Sequence, residues 1–159
     1  ATMTSLVGMS IGARDADRAE EIGWTGAGMS FVLGGGIGTL LAVFPHLWIP
    51  IFTDDAMVYE TAKGFIQIVG PCLAIHGVGW ALYFASQGAG AMRGPLVALI
   101  ARPVVAISLA FFLLGPMDLG MTGVFIGAVG GMFAYTAIVT ASMKGGAWRR
   151  QIPEAPKPV

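Results

Sequence analysis

The chain has 159 residues, 55% of them apolar and 11% charged, with nine basic and nine acidic side chains and no net charge. Soluble domains carry about 25% charged residues, so this composition excludes an ordinary soluble domain. A pI near 7.0 leaves no basic footprint for nucleic acid, and a mean hydropathy of +0.75 points instead to a lipid bilayer.

Residues 1–12 are a short apolar piece with neither an initiator Met nor a basic region ahead of an apolar core, so they do not read as a signal peptide. They are expected to be the end of a preceding transmembrane helix in a longer polypeptide. Residues 13–22 mix both signs (Arg14, Asp15, Asp17, Arg18, Glu20, Glu21) and are expected as a solvated cytoplasmic loop rather than a metal site. The region 23–143 holds four apolar stretches, at about 23–52, 65–84, 96–115 and 120–143. A spanning helix needs roughly 20 apolar residues at about 1.5 Å each, and all four meet that length. The fold class is therefore all-α: an integral membrane helical bundle of about four transmembrane helices.

The first stretch places Gly26, Ser30, Gly34, Gly38 and Ala42 four residues apart, a small-residue stripe on one helix face. The fourth repeats the pattern with Gly123, Gly127 and Gly131. Small residues let helix backbones approach closely in lipid, so both stripes are read as helix-packing surfaces. Pro45 and Pro50 are expected to make the end of the first stretch irregular, and Asp54 or Asp55 to cap the next helix. Pro71 interrupts the second stretch and can kink it, either for packing or for a conformational change. Residues 144–159 turn polar and carry Pro153, Pro156 and Pro158, which predicts a disordered cytoplasmic tail.

If the spans alternate, Arg14, Arg18, Arg93, Lys144, Arg149, Arg150 and Lys157 share one side, and Lys63 lies on the other with Asp54, Asp55, Glu60 and Asp118. The positive-inside rule then puts the first set, and both ends of this chain, in the cytoplasm.

His76, Trp80, Tyr83 and Gln87 are spaced i, i+4, i+7 and i+11 on one face of the second span. An ionisable group at mid-span depth is a functional candidate because burial in lipid is costly. Aromatic faces attract organic cations, and histidine titrates in the physiological range. The same face also fits a neutral histidine that hydrogen-bonds a neighbouring helix and packs. Arg102 lies about six residues into the third span, close enough to its cytoplasmic end to snorkel, and is read as a structural cation or a substrate gate. Gly34-Gly-Gly-Ile-Gly38 has no following Lys-Ser or Lys-Thr, so it is not a phosphate loop. Cys72 has no neighbouring framework for nucleophilic catalysis. No enzyme signature, metal site or cofactor motif emerges.

The stretch Val7-Gly-Met-Ser-Ile-Gly-Ala-Arg-Asp-Ala-Asp-Arg-Ala19 resembles the multidrug and toxic compound extrusion (MATE) family, whose pattern is Val-Gly-Gln-x-x-Gly-Ala-Gly-Asp-x-x-Arg-Ala. Phe52-Thr-Asp-Asp, Gly88-Ala-Gly with nearby Pro95, and Arg102-Pro103 follow in the family's order. The chain departs from the pattern at Met9, for the usual Gln; at Gln87, for Arg; and at Ala91-Met92, for Asp-Thr. His76 falls where one branch keeps a cation-binding carboxylate, and none of the four stretches contains Asp or Glu.

The resemblance implies helices nine to twelve of twelve, part of one six-helix lobe that faces a missing N-terminal lobe across a cavity. It implies a secondary antiporter in the cell membrane that exports small organic, often cationic, compounds in exchange for protons or sodium. His76, Trp80, Tyr83, Gln87 and Arg102 are the expected cavity residues, and membrane lipid is the surrounding partner. The alternatives are a flippase of the same superfamily and a non-transporting membrane scaffold subunit.

Overall fold

The computed structural model describes residues 2–117 and 119–151, which form α1 (Thr2–Gly12), α2 (Ala16–Val43), α3 (Ala56–Val69), α4 (Leu73–Gly88), α5 (Arg93–Leu114) and α6 (Gly120–Lys144), with short 3-10 turns between and after them. The described residues contain no strand. Helices α2, α5 and α6 are each long and apolar enough to cross a membrane, and α3 and α4 pass that test only together, as a pair bent by 63° that forms a broken span or a re-entrant loop. The chain is an all-α, multi-pass membrane bundle.

The charged stretch 13–22, expected as a loop, is helical from Ala16 onward. Asp15 caps α2, its carboxylate accepting from the Arg18 N–H at 2.9 Å, which satisfies one of the free donors of the first turn. Ala16 and Ala19 are buried, so the stretch alternates core-facing Ala with outward charge. Only residues 13–15 turn the chain. Arg14 does so with φ 64°, a left-handed conformation that is costly for a side chain with a Cβ; the family pattern has Gly at this position.

Helix α2 stops at Val43, before Pro45, instead of running to Phe52. Two 3-10 turns, Pro45–Leu47 and Ile49–Ile51, follow it. Trp48 Nε1–H donates back to the Leu41 carbonyl at 3.0 Å, occupying an acceptor that the helix end leaves free. Asp55, not Asp54, caps α3 and accepts from the N–H groups of Met57 and Val58.

The second apolar stretch is two helices rather than one. Pro71 has no N–H to continue the α-helical ladder. Residues 70–74 close with tighter bonds, from Leu73 N to the Gly70 carbonyl and from Ala74 N to that of Pro71. The break sits against α2. A Cβ on Gly38 would collide with the Gly70 carbonyl, and one on Gly70 would meet the Gly38 carbonyl and the Ala42 side chain.

Around this junction α4 lies between α2 and α6, α3 bridges α2 and α6 at one end, α1 packs on α2 and α4 at the other, and α5 packs chiefly on α6. The contacts are backbone to backbone. A Cβ built on Gly34 would lie 2.9 Å from the Leu73 carbonyl oxygen, one on Gly77 2.7 Å from that of Ser30, one on Gly127 2.6 Å from that of Ala106, and one on Gly131 2.7 Å from that of Arg102. At Gly123 an added Cβ would instead lie 2.9 Å from the Leu113 Cβ. Helix α1 joins through Gly88, which packs on the Thr4 carbonyl, while Thr4 Oγ1–H donates to the Phe84 carbonyl at 3.1 Å.

Residues 144–151 are ordered, contrary to the expected disordered tail. Trp148 is 1% exposed. Its ring fills the space beside Gly23, and its Nε1–H donates to Ser86 Oγ at 3.1 Å. The Arg149 guanidinium donates to Asp17 Oδ1 at 2.6 Å and to Glu20 Oε1 at 3.0 Å, and Lys144 stands over the Trp24 ring at 5.6 Å. The hydrogen bonds to Asp17 and Glu20 raise the Arg149 pKa further above its ordinary value. Pro153, Pro156, Lys157, Pro158 and Asp118 lie outside the described residues.

Alanine at Gly38 should destabilise the bundle by about 1–3 kcal/mol, because overpacking against backbone has no rotamer to relieve it. Alanine at Gly36, where an added Cβ meets nothing within 4 Å, should be neutral or slightly stabilising. Thermal unfolding in detergent checks both. Equal midpoints would mean that the Gly38–Gly70 junction tolerates a methyl.

Candidate functional site

The break at Pro71 sets where α4 begins, and therefore which of its residues face α6. His76 lies one turn into α4 and is 9% exposed. Its Nε2 accepts a hydrogen bond from Trp80 Nε1–H at 2.8 Å, so the neutral ring carries its proton on Nδ1. That Nδ1 is buried without a hydrogen-bond partner among the described residues.

Tyr135, from α6, closes the other side. It is 1% exposed, its ring centroid is 5.7 Å from that of His76 and 6.3 Å from that of Trp80, and its hydroxyl is also buried without a partner among the described residues. Gly79 makes this approach possible: a Cβ there would lie 2.8 Å from the Tyr135 ring. Next to it, Thr136 Oγ1–H donates to the Ile75 carbonyl at 3.0 Å and holds α6 against α4. Two unpartnered buried polar atoms on neighbouring rings are unusual, since unmade hydrogen bonds of this kind cost roughly 1–3 kcal/mol each.

Trp80 extends the cluster to the surface. It stacks edge-on with Tyr83 at 5.7 Å and lies tilted against Phe84 at 5.7 Å. Trp80 and Phe84 are 40% and 43% exposed, so the outer side of the cluster is an open aromatic wall. Arg102, half-buried on α5, lies at the Gly131 crossing, where its backbone carbonyl packs on Gly131 of α6.

His76, Trp80 and Tyr83 are thus in one contact chain, and no contact of it with the Arg102 side chain is seen among the described residues. Gln87 shares the helix face but lies roughly 16 Å beyond His76 along α4 and is exposed near the end that holds Arg93 and Trp148. It does not join the cluster. Gly34, Gly38, Gly123, Gly127 and Gly131 lie at helix crossings. Sequence reasoning missed Tyr135, Gly79 and Thr136. A tyrosine and a threonine side by side in the fourth apolar stretch were the available signal, because buried polar side chains need partners.

A sequence model of the MatE family matches residues 1–112, from α1 through most of α5. This chain belongs to the MatE family. Members of that family are transporters, which agrees with a multi-pass membrane bundle. No curated protein and no solved structure matches the chain. Within the matched region, two motifs that carry the resemblance meet in space: a Cβ on Gly8 of the first would lie 3.3 Å from the carbonyl of Gly88 in the second.

Replacing Tyr135 by Phe removes a buried hydroxyl that has no partner among the described residues. Stability should hold or rise by up to about 1 kcal/mol, measured by thermal unfolding of the purified protein. A loss of 2 kcal/mol or more would mean that the hydroxyl has a partner, such as an ordered water.

Proposed function

We propose that this chain forms part of a secondary active antiporter that exports small organic compounds, with the α4 face of His76, Trp80 and Tyr83 as one wall of its cavity. The proposal includes a second lobe of the same polypeptide facing that wall, and protons rather than sodium as the coupling ion. The observation that carries it is the Trp80–His76 hydrogen bond. A protonated imidazole donates from both nitrogens, so proton binding at Nε2 must break this bond and release the indole. Trp80 is the residue that joins the buried histidine to the exposed aromatic wall. One proton would therefore change the shape of the surface offered to a substrate, which is the coupling antiport requires. Sodium has no carboxylate to bind within these apolar stretches.

The test is export by the full-length protein in energised vesicles. His76→Ala should lower export about tenfold or more, within the range of typical coupling free energies, and flatten its pH dependence; Tyr83→Ala should weaken export without removing the pH dependence. Wild-type export and pH profile in both variants would make the face a packing surface, as in a scaffold subunit.

A second reading, a flippase for lipid-linked precursors with anionic headgroups, is favoured by one observation: Arg102 places a half-buried cation within the membrane span α5. Arg102→Gln separates the two. Loss of all transport favours an anionic substrate, whereas undiminished or faster export of organic cations favours the antiporter.

The proposed orientation places the ends carrying Arg14, Arg93 and Lys144 in the cytoplasm, with Asp54 outside. In a Cys72→Ser background, a cysteine at position 54 should react with an impermeant thiol reagent added to intact cells, and one at position 93 should not. The opposite pattern would invert the topology.

A further inference from the structure

A cavity of about 690 Å³ lies away from the aromatic face, lined by Gly90, Met92, Arg93, Ser142, Ala147 and Arg150 among others. Its walls are two turns, the one joining α4 to α5 and the one following α6. Each reverses through a glycine in the left-handed region, Gly90 at φ 73° and Gly146 at φ 75°. The turns are held together where Gly94 packs on Ser142. Each contributes one arginine, and no acidic residue lines the cavity among the described residues.

The two arginines differ from their neighbour Arg149, which is paired with Asp17 and Glu20. Among the described residues neither Arg93 nor Arg150 has an ion-pair partner, so two like charges share one concave space. Arg150 is placed there by built contacts rather than by chance: Trp148 is buried two residues earlier, Arg149 is fixed to α2, and Arg150 N–H donates to the Gly146 carbonyl at 3.2 Å. Two guanidinium groups lining one cavity suit the oxygens of a phosphoryl group.

The location narrows the source. Arg93 opens a membrane span, and just inside it Leu96, Val97 and Ile100 are at least half exposed, at 50%, 57% and 68%. A ligand held at the cavity by its charge would lay apolar chains along that side of α5.

We propose that this cavity binds an anionic phosphoryl group, and that its occupant is the headgroup of an acidic phospholipid whose acyl chains run along the exposed apolar side of α5. Arg93 and Arg150 bind the phosphoryl oxygens, and Ser142 adds a hydroxyl donor. The bound lipid bridges the α4–α5 turn to the segment after α6 and stiffens that end of the bundle. This assignment does not depend on the transport reading.

The test is thermal unfolding of the full-length protein in a neutral detergent, with short-chain phosphatidylglycerol, short-chain phosphatidylcholine or inorganic phosphate added. At roughly hundredfold excess over Kd, phosphatidylglycerol should raise Tm by about 5 °C or more, and phosphatidylcholine should not. The Arg93→Gln, Arg150→Gln double variant should lose the shift; Arg93→Lys, Arg150→Lys should keep part of it. Lys63→Gln, a charge removal at the other end, should keep all of it. If inorganic phosphate alone reproduces the shift and phosphatidylglycerol adds nothing, the phosphoryl site stands and the lipid assignment falls. A shift that survives in the double Gln variant, or no shift with any probe, overturns the proposal.

Discussion

Lipid tails are as apolar as leucine, so helices in a bilayer gain little by hiding apolar side chains from one another. What remains is close approach: dispersion between packed backbones and weak Cα–H···O=C contacts. The glycines of this chain meet that constraint at almost every crossing. Gly34, Gly38, Gly77, Gly88, Gly127 and Gly131 each face a backbone carbonyl of a neighbouring helix, at distances that exclude a methyl group. These contacts link α2 to α4, α1 to α4, and α5 to α6. The link from α4 to α6 rests on Gly79 against Tyr135 and on the Thr136–Ile75 hydrogen bond.

The candidate site follows from the same geometry. Gly38 and Gly70 let the broken span press its non-α-helical turn directly onto α2, where the carbonyls around Pro71 find short-range donors instead of lipid. That fixes the start of α4 and hence the angle at which His76 meets α6. Gly79 then admits the Tyr135 ring, and Gly131 lets the α5 backbone at Arg102 approach α6. A histidine, two tyrosines and a tryptophan from two helices are brought together where a residue without a side chain leaves room. Buried polar groups with unmade bonds cost stability, and here they lie beside an open aromatic wall.

At the opposite end of α4 the chain uses side chains rather than their absence. Trp148 returns into the core between α2 and α4, and the Arg149 ion pairs add a second attachment to α2. Exposed ion pairs alone contribute little, so the buried indole with its bond to Ser86 is the main anchor. It brings the residues after α6 against the start of α2 and leaves Arg150 facing the cavity it shares with Arg93.

The sequence by itself determined the environment, the helical class and the family. Composition and 20-residue apolar runs follow directly from bilayer thickness, and the motifs from residues 7 to 103 keep their order without needing a structure. It also located His76, Trp80 and Tyr83 on one face, because helical periodicity is local. Other features were not local. Gln87 shares the face by angle but is separated from the cluster by helix length. The charged stretch before Gly23 is helical because Ala16 and Ala19 find core to pack on, and Trp148 is ordered because Gly23 and Ser86, distant in sequence, make room and a partner for it. Tyr135 belongs to the site only because α6 crosses α4 at Gly79. Periodicity assigns residues to the face of a helix, but which helix that face meets is set by where two backbones can touch, and only the tertiary structure decides that.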